Sequence, residues 1–451
     1  MKTITIRLII RLTGMSFALI FALQFTAKAQ IKVDSGNVYP LSLQQAINIS
    51  KNSNNLVKAA QSEESASNSD LKDAKNNALP SIFTGANYQR YTSLTLYQGL
   101  KPVKSMPKYP TSNGADVSVS ANFNLYAGGR QKAYEAEQSS KKDLATVNTQ
   151  EQIGNVGLQV VAQYLDMVRL NDQKRFIIEQ VVRAETRLKN ITALYNNQKV
   201  TRSDVLRAEL ALSAAKLNLE QAENDIEIAN QKLDVLLGFS DSTKVAPIDS
   251  AAMPRPATES LVTLVLGAGK DAYAIRQASE NVKIQDARIR GVKSSFSPTL
   301  SLYSAYGISY PNNIFFPPVD QAYSIGFVGV KLQYNISSVY QNKHKTAASR
   351  IRLQELQYVQ QNISDNVRQE AGSLLIKYKE ALNRITVNEK SIEQARVNYK
   401  IVSAKYFNQL ALLTDLLDAD DLYQETRYNL VQAQTGAQFI YYRLLYTSGN
   451  L

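Results

Sequence analysis

The chain carries the same unit twice. Residues 124–240 reappear at a constant offset of 211: Tyr195, Asn197, Gln198, Asp204, Leu206 and Ala208 align with Tyr406, Asn408, Gln409, Asp415, Leu417 and Ala419, and Gly238 aligns with Gly449. Upstream, Leu43 to Pro80 aligns with Leu261 to Pro298 at an offset of 218. The seven-residue difference falls between Pro80 and Asn124 in one copy and between Pro298 and Asn335 in the other, so one loop is longer. Two copies favour a duplicated unit within one body over a solenoid, which needs three or more repeats. The expected plan is a first repeat over 30–240, a linker or equatorial segment over 241–260 and a second repeat over 261–451.

Proline punctuates this plan. All twelve prolines lie at or before Pro110 or between Pro247 and Pro318, leaving 111–246 and 319–451 free to form very long helices. From Gln131 to about Asn196 the chain is rich in Ala, Leu, Val, Glu, Gln, Lys and Arg, with Val156, Val160, Val161, Leu165 and Val168 at helical spacing. At ~1.5 Å per residue such a helix is on the order of 100 Å long. It is too charged to sit in a bilayer and is expected to pack laterally as a coiled coil. Asn196-Asn197-Gln198 breaks it, Thr201-Arg202-Ser203-Asp204 starts a second helix, and Gly238 stops that one. The second copy repeats the hairpin from about Gln341, through a turn at Asn408, to Gly449.

Between the helices lie four segments with strand character, near 81–91, 115–126, 299–310 and 324–335. In the second, Val117, Val119, Ala121, Phe123 and Leu125 alternate with Asp116, Ser118, Ser120, Asn122 and Asn124. Alternation over about ten residues suits a membrane β-barrel with an apolar outside and a polar lumen, and the 25 tyrosines, with no tryptophan, supply interfacial aromatics. Four strands cannot close a barrel, since single-chain bacterial barrels begin at about eight, so several copies must share one.

The first residues point to export. Lys2, Arg7 and Arg11 precede an apolar run from Leu12 to Phe25, and Ala27-Lys28-Ala29 is a cleavage site, giving a signal peptide over 1–29. Its removal lowers the formal charge from +12 to +8, a basic balance that in an exported chain is poor evidence for nucleic-acid binding, and none is expected. The chain has no cysteine, which excludes disulfides, thiolate metal sites and a lipidated cysteine. Beyond the signal no apolar segment is long enough to span a bilayer as a helix.

Helix, strand hairpin and helical hairpin, then the same again, resembles the TolC-like outer membrane efflux protein family across essentially the whole mature chain. The residues that carry the likeness are Leu79-Pro80-Ser81 and Ser297-Pro298-Thr299 at helix-to-strand junctions, Asn124-Leu125-Tyr126-Ala127-Gly128-Gly129-Arg130 at a strand-to-helix turn, and Tyr195 through Gly238. Pro80, Gly128, Gly129 and Pro298 are thus the expected structural turns. The resemblance implies a mainly α fold with β: a homotrimer with a twelve-stranded barrel in the outer membrane lipid, continued by a periplasmic α-barrel. It also implies a passive duct that works with a periplasmic adaptor of the membrane fusion protein type and an inner-membrane pump of RND or ABC type. Two departures stand out. Val339-Tyr340 replaces the paired glycines in the second copy, requiring another backbone geometry, and Asn54-Asn55 stands where many members have Asn-Pro.

No enzyme constellation is present, and neither a cofactor nor a metal is expected. The single histidine, His344, lies between Lys343 and Lys345 and reads as a solvated surface residue. The expected chemistry is electrostatic. Asp415 and Asp418 share a helix face that Asp421 continues, and in a trimer the first two would supply six carboxylates around a closing pore. The simpler account is an acidic first turn stabilised by the helix dipole, with Thr414 as cap. The family resemblance assigns Tyr406, Asp415 and Asp418 to the entrance, where Asp204 is expected as well. Ala411 occupies the place of a latching arginine in the family, for which Arg202 or Lys199 is a candidate substitute. Adaptor docking is expected at the hairpin tips, at Asn197, Gln198, Lys199 and Ser203 and at Asn408, Gln409 and Thr414. A soluble periplasmic coiled-coil adaptor or scaffold with two small β-hairpins is the alternative.

Overall fold

The computed structural model describes residues 38–451 apart from 93, 107–111, 241–242, 253, 255, 257, 313 and 315–318, so the expected signal peptide lies outside the described residues. In chain order the elements are β1 (Val38–Leu41), α1 (Leu43–Ser53), α2 (Asn55–Asn76), β2 (Ser81–Arg90), β3 (Leu94–Gln98), β4 (Lys101–Met106), β5 (Asn113–Ala127), α3 (Arg130–Asn196), α4 (Arg202–Leu237), β6 (Lys244–Pro247), α5 (Thr258–Asp271), α6 (Tyr273–Ser294), β7 (Thr299–Tyr310), β8 (Tyr323–Gln333), α7 (Ser338–Gln341), α8 (Lys343–Phe407) and α9 (Leu413–Thr447). The helices α3 and α8 run for 67 and 65 residues, each about 100 Å. Among the described residues no helix is long and apolar enough to cross a membrane.

The duplication is visible in the backbone. Gly238 and Gly449 both adopt left-handed conformations, and a Cβ on either would meet the last residue of the equivalent upstream helix, Ser53 or Asp271. Asn54, the residue before the departure at the α1–α2 junction, is buried. Its Oδ1 accepts from the Leu56 amide at 2.9 Å, capping α2, while its Nδ2 donates to the Leu236 carbonyl at 3.0 Å. The Asn54 side chain thus satisfies two backbone groups where two helical layers meet.

Toward the sheet the helices lie side by side in the order α2, α3, α6, α8; toward the opposite end the order is α4, α3, α9, α8. The long helix α3 thus bridges both layers. In α4 the residues turned onto the core recur every seven positions as Ala208, Ala215, Ala222 and Ala229, all buried, and their small size brings α4 close to α3.

Around the middle of α3 the two layers meet in a collar. Tyr164 is fully buried and its hydroxyl lies 2.8 Å from both the Leu41 carbonyl, to which it donates, and Asp249 Oδ2. Burial first, and then the Asp249 carboxylate, push that phenol well above its usual range. The equatorial layer does not rest on the linker alone: β1 pairs in parallel with β6, from Val38 opposite Lys244 to Leu41 opposite Pro247. A four-residue strand 206 positions from its partner has no local periodicity to reveal it.

Four strands form one antiparallel sheet in the order β2, β5, β7, β8. Their spans fall within two residues of expectation. The register places Ala121, Val119 and Val117 between Ile82, Thr84 and Ala86 of β2 and Ser304, Tyr306 and Ile308 of β7, and pairs Leu300 and Leu302 with Leu332 and Val330. One face is therefore uncharged and largely apolar. The other carries Asp116, Ser118, Ser120, Asn122, Ser301 and Lys331. The longer first loop contains a feature unseen in the sequence pattern, the small hairpin β3–β4, with an irregularity between Leu96 and Tyr97.

Candidate functional site

The two hairpin tips are superposable in their hydrogen bonding. The side chain of Asn197 donates to the Ala193 carbonyl at 2.8 Å and that of Asn408 to the Ala404 carbonyl at 2.9 Å. Gln198 and Gln409 then take φ of 58° and 63°, and the amides of Lys199 and Leu410 return to Leu194 and Lys405. This is a left-handed helix terminus built without glycine, at a conformational cost of about 1–2 kcal/mol per turn that the asparagine bonds offset in part.

The following helices start differently. Thr201 caps α4: its hydroxyl accepts from the Asp204 amide, and Asp204 Oδ2 accepts from the Thr201 amide at 2.9 Å. In the second copy the cap position falls on Leu412, not on Thr414, which sits inside the first turn; Asp415 Oδ2 still accepts from the Leu412 amide at 3.0 Å, but no hydroxyl answers it. Leu412→Thr is expected to stabilise the start of α9 by about 1 kcal/mol, slowing amide hydrogen exchange over 413–416 roughly fivefold, and Thr201→Ala to cost α4 a similar amount.

Both tips rest on one apolar cluster of Ile191, Val205, Ala208, Tyr406, Leu413 and Leu416. Tyr406 is thus a core residue here, 6% exposed, with no hydrogen-bond partner for its hydroxyl. Burial first, then the nearby Asp204 carboxylate, raise its pKa against the opposing Arg187. Asp204 is half-buried and occupied by Thr201. Asp415, Asp418 and Asp421 are all exposed along one stripe. Partial burial, followed by the carboxylates of Asp420 and Asp418, raises Asp421 above the ordinary aspartate value, with Arg187 opposing. Asn197, Gln198, Lys199, Ser203, Asn408 and Gln409 are exposed at the two tips, as are Leu410 and Leu412, while Thr414 is half-buried. The second tip is consequently the more apolar one.

Sequence reasoning missed the group behind the stripe. Asp420 is 2% exposed and accepts from Arg183 Nε at 3.0 Å and from Arg187 Nη2 at 2.5 Å, joining α9 to α3. Arg183 lies over the rings of Tyr399 and Tyr423, which stack at 6.2 Å; Arg427 lies 3.7 Å from the centroid of Phe176 and pairs with Glu179 at 2.7 Å. That pairing holds the Glu179 carboxyl below its usual value. Cations and rings alternate along the seam. The signal was present: Leu413, Leu416, Asp420 and Gln424 follow the buried helical period, and Arg183 and Arg187 are one turn apart on the facing helix.

Comparison with known proteins agrees with this geometry. Residues 46–239 match the outer membrane efflux protein family model. No curated protein matches the chain by sequence. Among solved structures the chain is similar to the outer membrane protein VceC from Vibrio cholerae, with a TM-score of 0.76 at 14% identity over 90% of this chain and 96% of that one. The Campylobacter jejuni CmeC outer membrane channel gives 0.70 at 14%, over 90% and 85%. The open state of the Neisseria gonorrhoeae MtrE outer membrane channel gives 0.67 at 18%, over 90% and 88%. The outer membrane efflux protein family model is thus matched across the first repeat, and the fold of these outer membrane channels is carried through both repeats.

Proposed function

We propose that the protein is the outer-membrane duct of a tripartite export system, a homotrimer that passes cargo from periplasm to exterior without chemistry of its own. The observation that carries this is the sheet: four strands, one face uncharged and largely apolar and the other bearing the charged residues, with β2 and β8 unpaired on their outer edges among the described residues. An open edge in hydrocarbon costs several kcal/mol per unsatisfied group, so the sheet closes with copies of itself. The helical layer supports the same closure. Leu206, Leu210, Leu217 and Val235 on α4, and Ile351, Tyr358, Ile376 and Val387 on α8, are exposed on the two flanking helices, where neighbouring protomers would cover them.

In this reading the tips face the periplasm, the adaptor docks on the exposed residues of both turns, and an inner-membrane pump supplies the energy. Asp415 and Asp418 form an acidic ring at the entrance, and Asp421, protonating at a higher pH than an ordinary aspartate, weakens the negative field there as pH falls.

The test is to purify the mature protein from detergent-extracted outer membrane, size it and record planar-bilayer conductance. A trimer with cation-preferring openings is expected. Asp415→Ala with Asp418→Ala should enlarge the conductance and weaken cation preference, each by about twofold or more. A salt-extractable monomer without conductance would favour the soluble coiled-coil scaffold instead.

A further inference from the structure

We propose that the junction between sheet and helices is a binding collar for anionic phospholipid headgroups of the periplasmic leaflet, an inference that rests on the sheet being a membrane barrel. Three contacts bring the helix ends together there. Gln131 Nε2 donates to the Ala74 carbonyl at 2.6 Å, joining α3 to α2. Gly128 approaches Ser294 and Ser297 so closely that a Cβ would lie 2.6 Å from the Ser294 carbonyl oxygen. Asn342 Nδ2 donates to Ser295 Oγ at 3.0 Å, joining α8 to α6. These ends lie at the level where β5, β7 and β8 finish together, at Ala127, Thr299 and Gln333.

On each of the four helices the first charge met below the strands is a cation: Lys75, Arg130 with Lys132, Lys293, and Lys343 with Lys345. All six are exposed, and none is in an ion pair among the described residues, whereas Lys141, Arg288 and Arg290 just below are paired with Glu137 and Asp286. The nearest carboxylates, Asp73 and Glu135, lie farther from the strands than the cations on their own helices, and α8 carries no acid before Glu355. Lys75 and Lys293 sit at helix C-terminal ends, where a cation is favoured. Arg130, Lys132, Lys343 and Lys345 sit at N-terminal ends, where the dipole disfavours them and no acidic residue of the first turn compensates. Four cations at the positive ends of the two longest helices call for an anion from outside the protomer.

What borders the cations identifies the source. In place of the paired glycines of the first copy, the second turn is built on α7, with Ser338 buried while Ile336, Val339 and Tyr340 are 72%, 53% and 68% exposed. An apolar and aromatic wedge followed, after Gln341 and Asn342, by Lys343-His344-Lys345 is the pattern of a segment that sits at the headgroup boundary, with its cations on the phosphates. The departure in the second turn thereby gains a purpose: the glycine turn is compact, whereas this one reaches outward.

The test uses the delipidated full-length trimer in detergent, titrated with phosphatidylglycerol or phosphatidylcholine and read by native mass spectrometry. Wild type should retain phosphatidylglycerol preferentially. Lys293→Gln, Lys343→Gln and Lys345→Gln together should lower that binding by about fivefold per lysine removed, and Lys58→Gln with Lys232→Gln, far from the junction, should not. Val339→Ser with Tyr340→Ser should weaken both lipids and leave their ratio intact. Equal retention of the two lipids by a trimer that conducts, or undiminished phosphatidylglycerol binding in the triple variant, would overturn the collar and leave the channel standing. A wild-type protein that neither trimerises nor conducts would remove the reading beneath it.

Discussion

Asp420→Ala is expected to be among the most damaging single substitutions in the half that bears the hairpin tips, at about 3–5 kcal/mol, because it leaves guanidinium charge uncompensated inside a seam. Arg187 is 6% exposed and its side chain ends 2.5 Å from the carboxylate, so water cannot replace the lost partner without opening α3 from α9. Arg183 is less confined, with 21% of its side chain exposed, and retains the faces of Tyr399 and Tyr423. Asp420→Ala combined with Arg187→Met should therefore recover much of the loss, since the charge that cannot reach solvent is removed with its partner. Asp415→Ala, on the exposed stripe five residues earlier, loses only its bond to the Leu412 amide and its place in the first turn, and should cost about 0.5–1 kcal/mol. Thermal unfolding and hydrogen exchange along 413–424 measure the contrast. Equal stability of the Asp420 and Asp415 variants would mean that the seam does not hold the hairpins together. If it does, the Asp420 variant should also open more readily in bilayer recordings, since the seam joins the helix bearing the acidic stripe to the first hairpin.

That seam marks the boundary of what the sequence discloses. The long helices, the tips and the four strands were legible because each obeys a local rule. Proline is absent for more than a hundred residues, Asn-Asn-Gln and Asn-Gln recur at one offset, and β5 alternates without interruption. The stripe of Asp415, Asp418 and Asp421 was legible for the same reason. Asp420 was not, because its meaning depends on Arg183 and Arg187, more than 230 positions away. Tyr406 shows the converse. A family position suggests an entrance role, but its ring sits in the tip core beside Leu413 and Leu416, and only packing could reveal that. The parallel β1–β6 pair and the β3–β4 hairpin escaped because strands of four to six residues are too short to display a period.

Gly128 and Gly129 adjoin in sequence and both hold positive φ, 62° and 80°, yet their substitution should differ sharply. At Gly129 a Cβ meets nothing within 4 Å, so Gly129→Ala costs only the left-handed conformation, about 1–2 kcal/mol, and Gly129→Asn less, since asparagine tolerates that region. At Gly128 the same penalty is joined by a clash: the new methyl would lie 2.6 Å from the Ser294 carbonyl oxygen and 2.6 Å from Ser297 Cβ. A backbone carbonyl at the end of α6 cannot rotate away as a flexible side chain could, so the turn itself must shift, at about 1–3 kcal/mol more. The shift falls where β5 hands over to α3, and any change in the angle of a helix about 100 Å long is magnified toward its tip. Gly128→Ala should therefore lower both the unfolding temperature and the yield of the proposed trimer, and Gly129→Ala should lower the first slightly and spare the second. The second copy confirms how exacting the close approach is: with Val339 and Tyr340 in place of the glycines, the chain gives up the tight turn and inserts α7 before α8 begins. Indistinguishable trimer yields from the two alanine variants would show that the contact with Ser294 is not what orients the longest helix against the sheet.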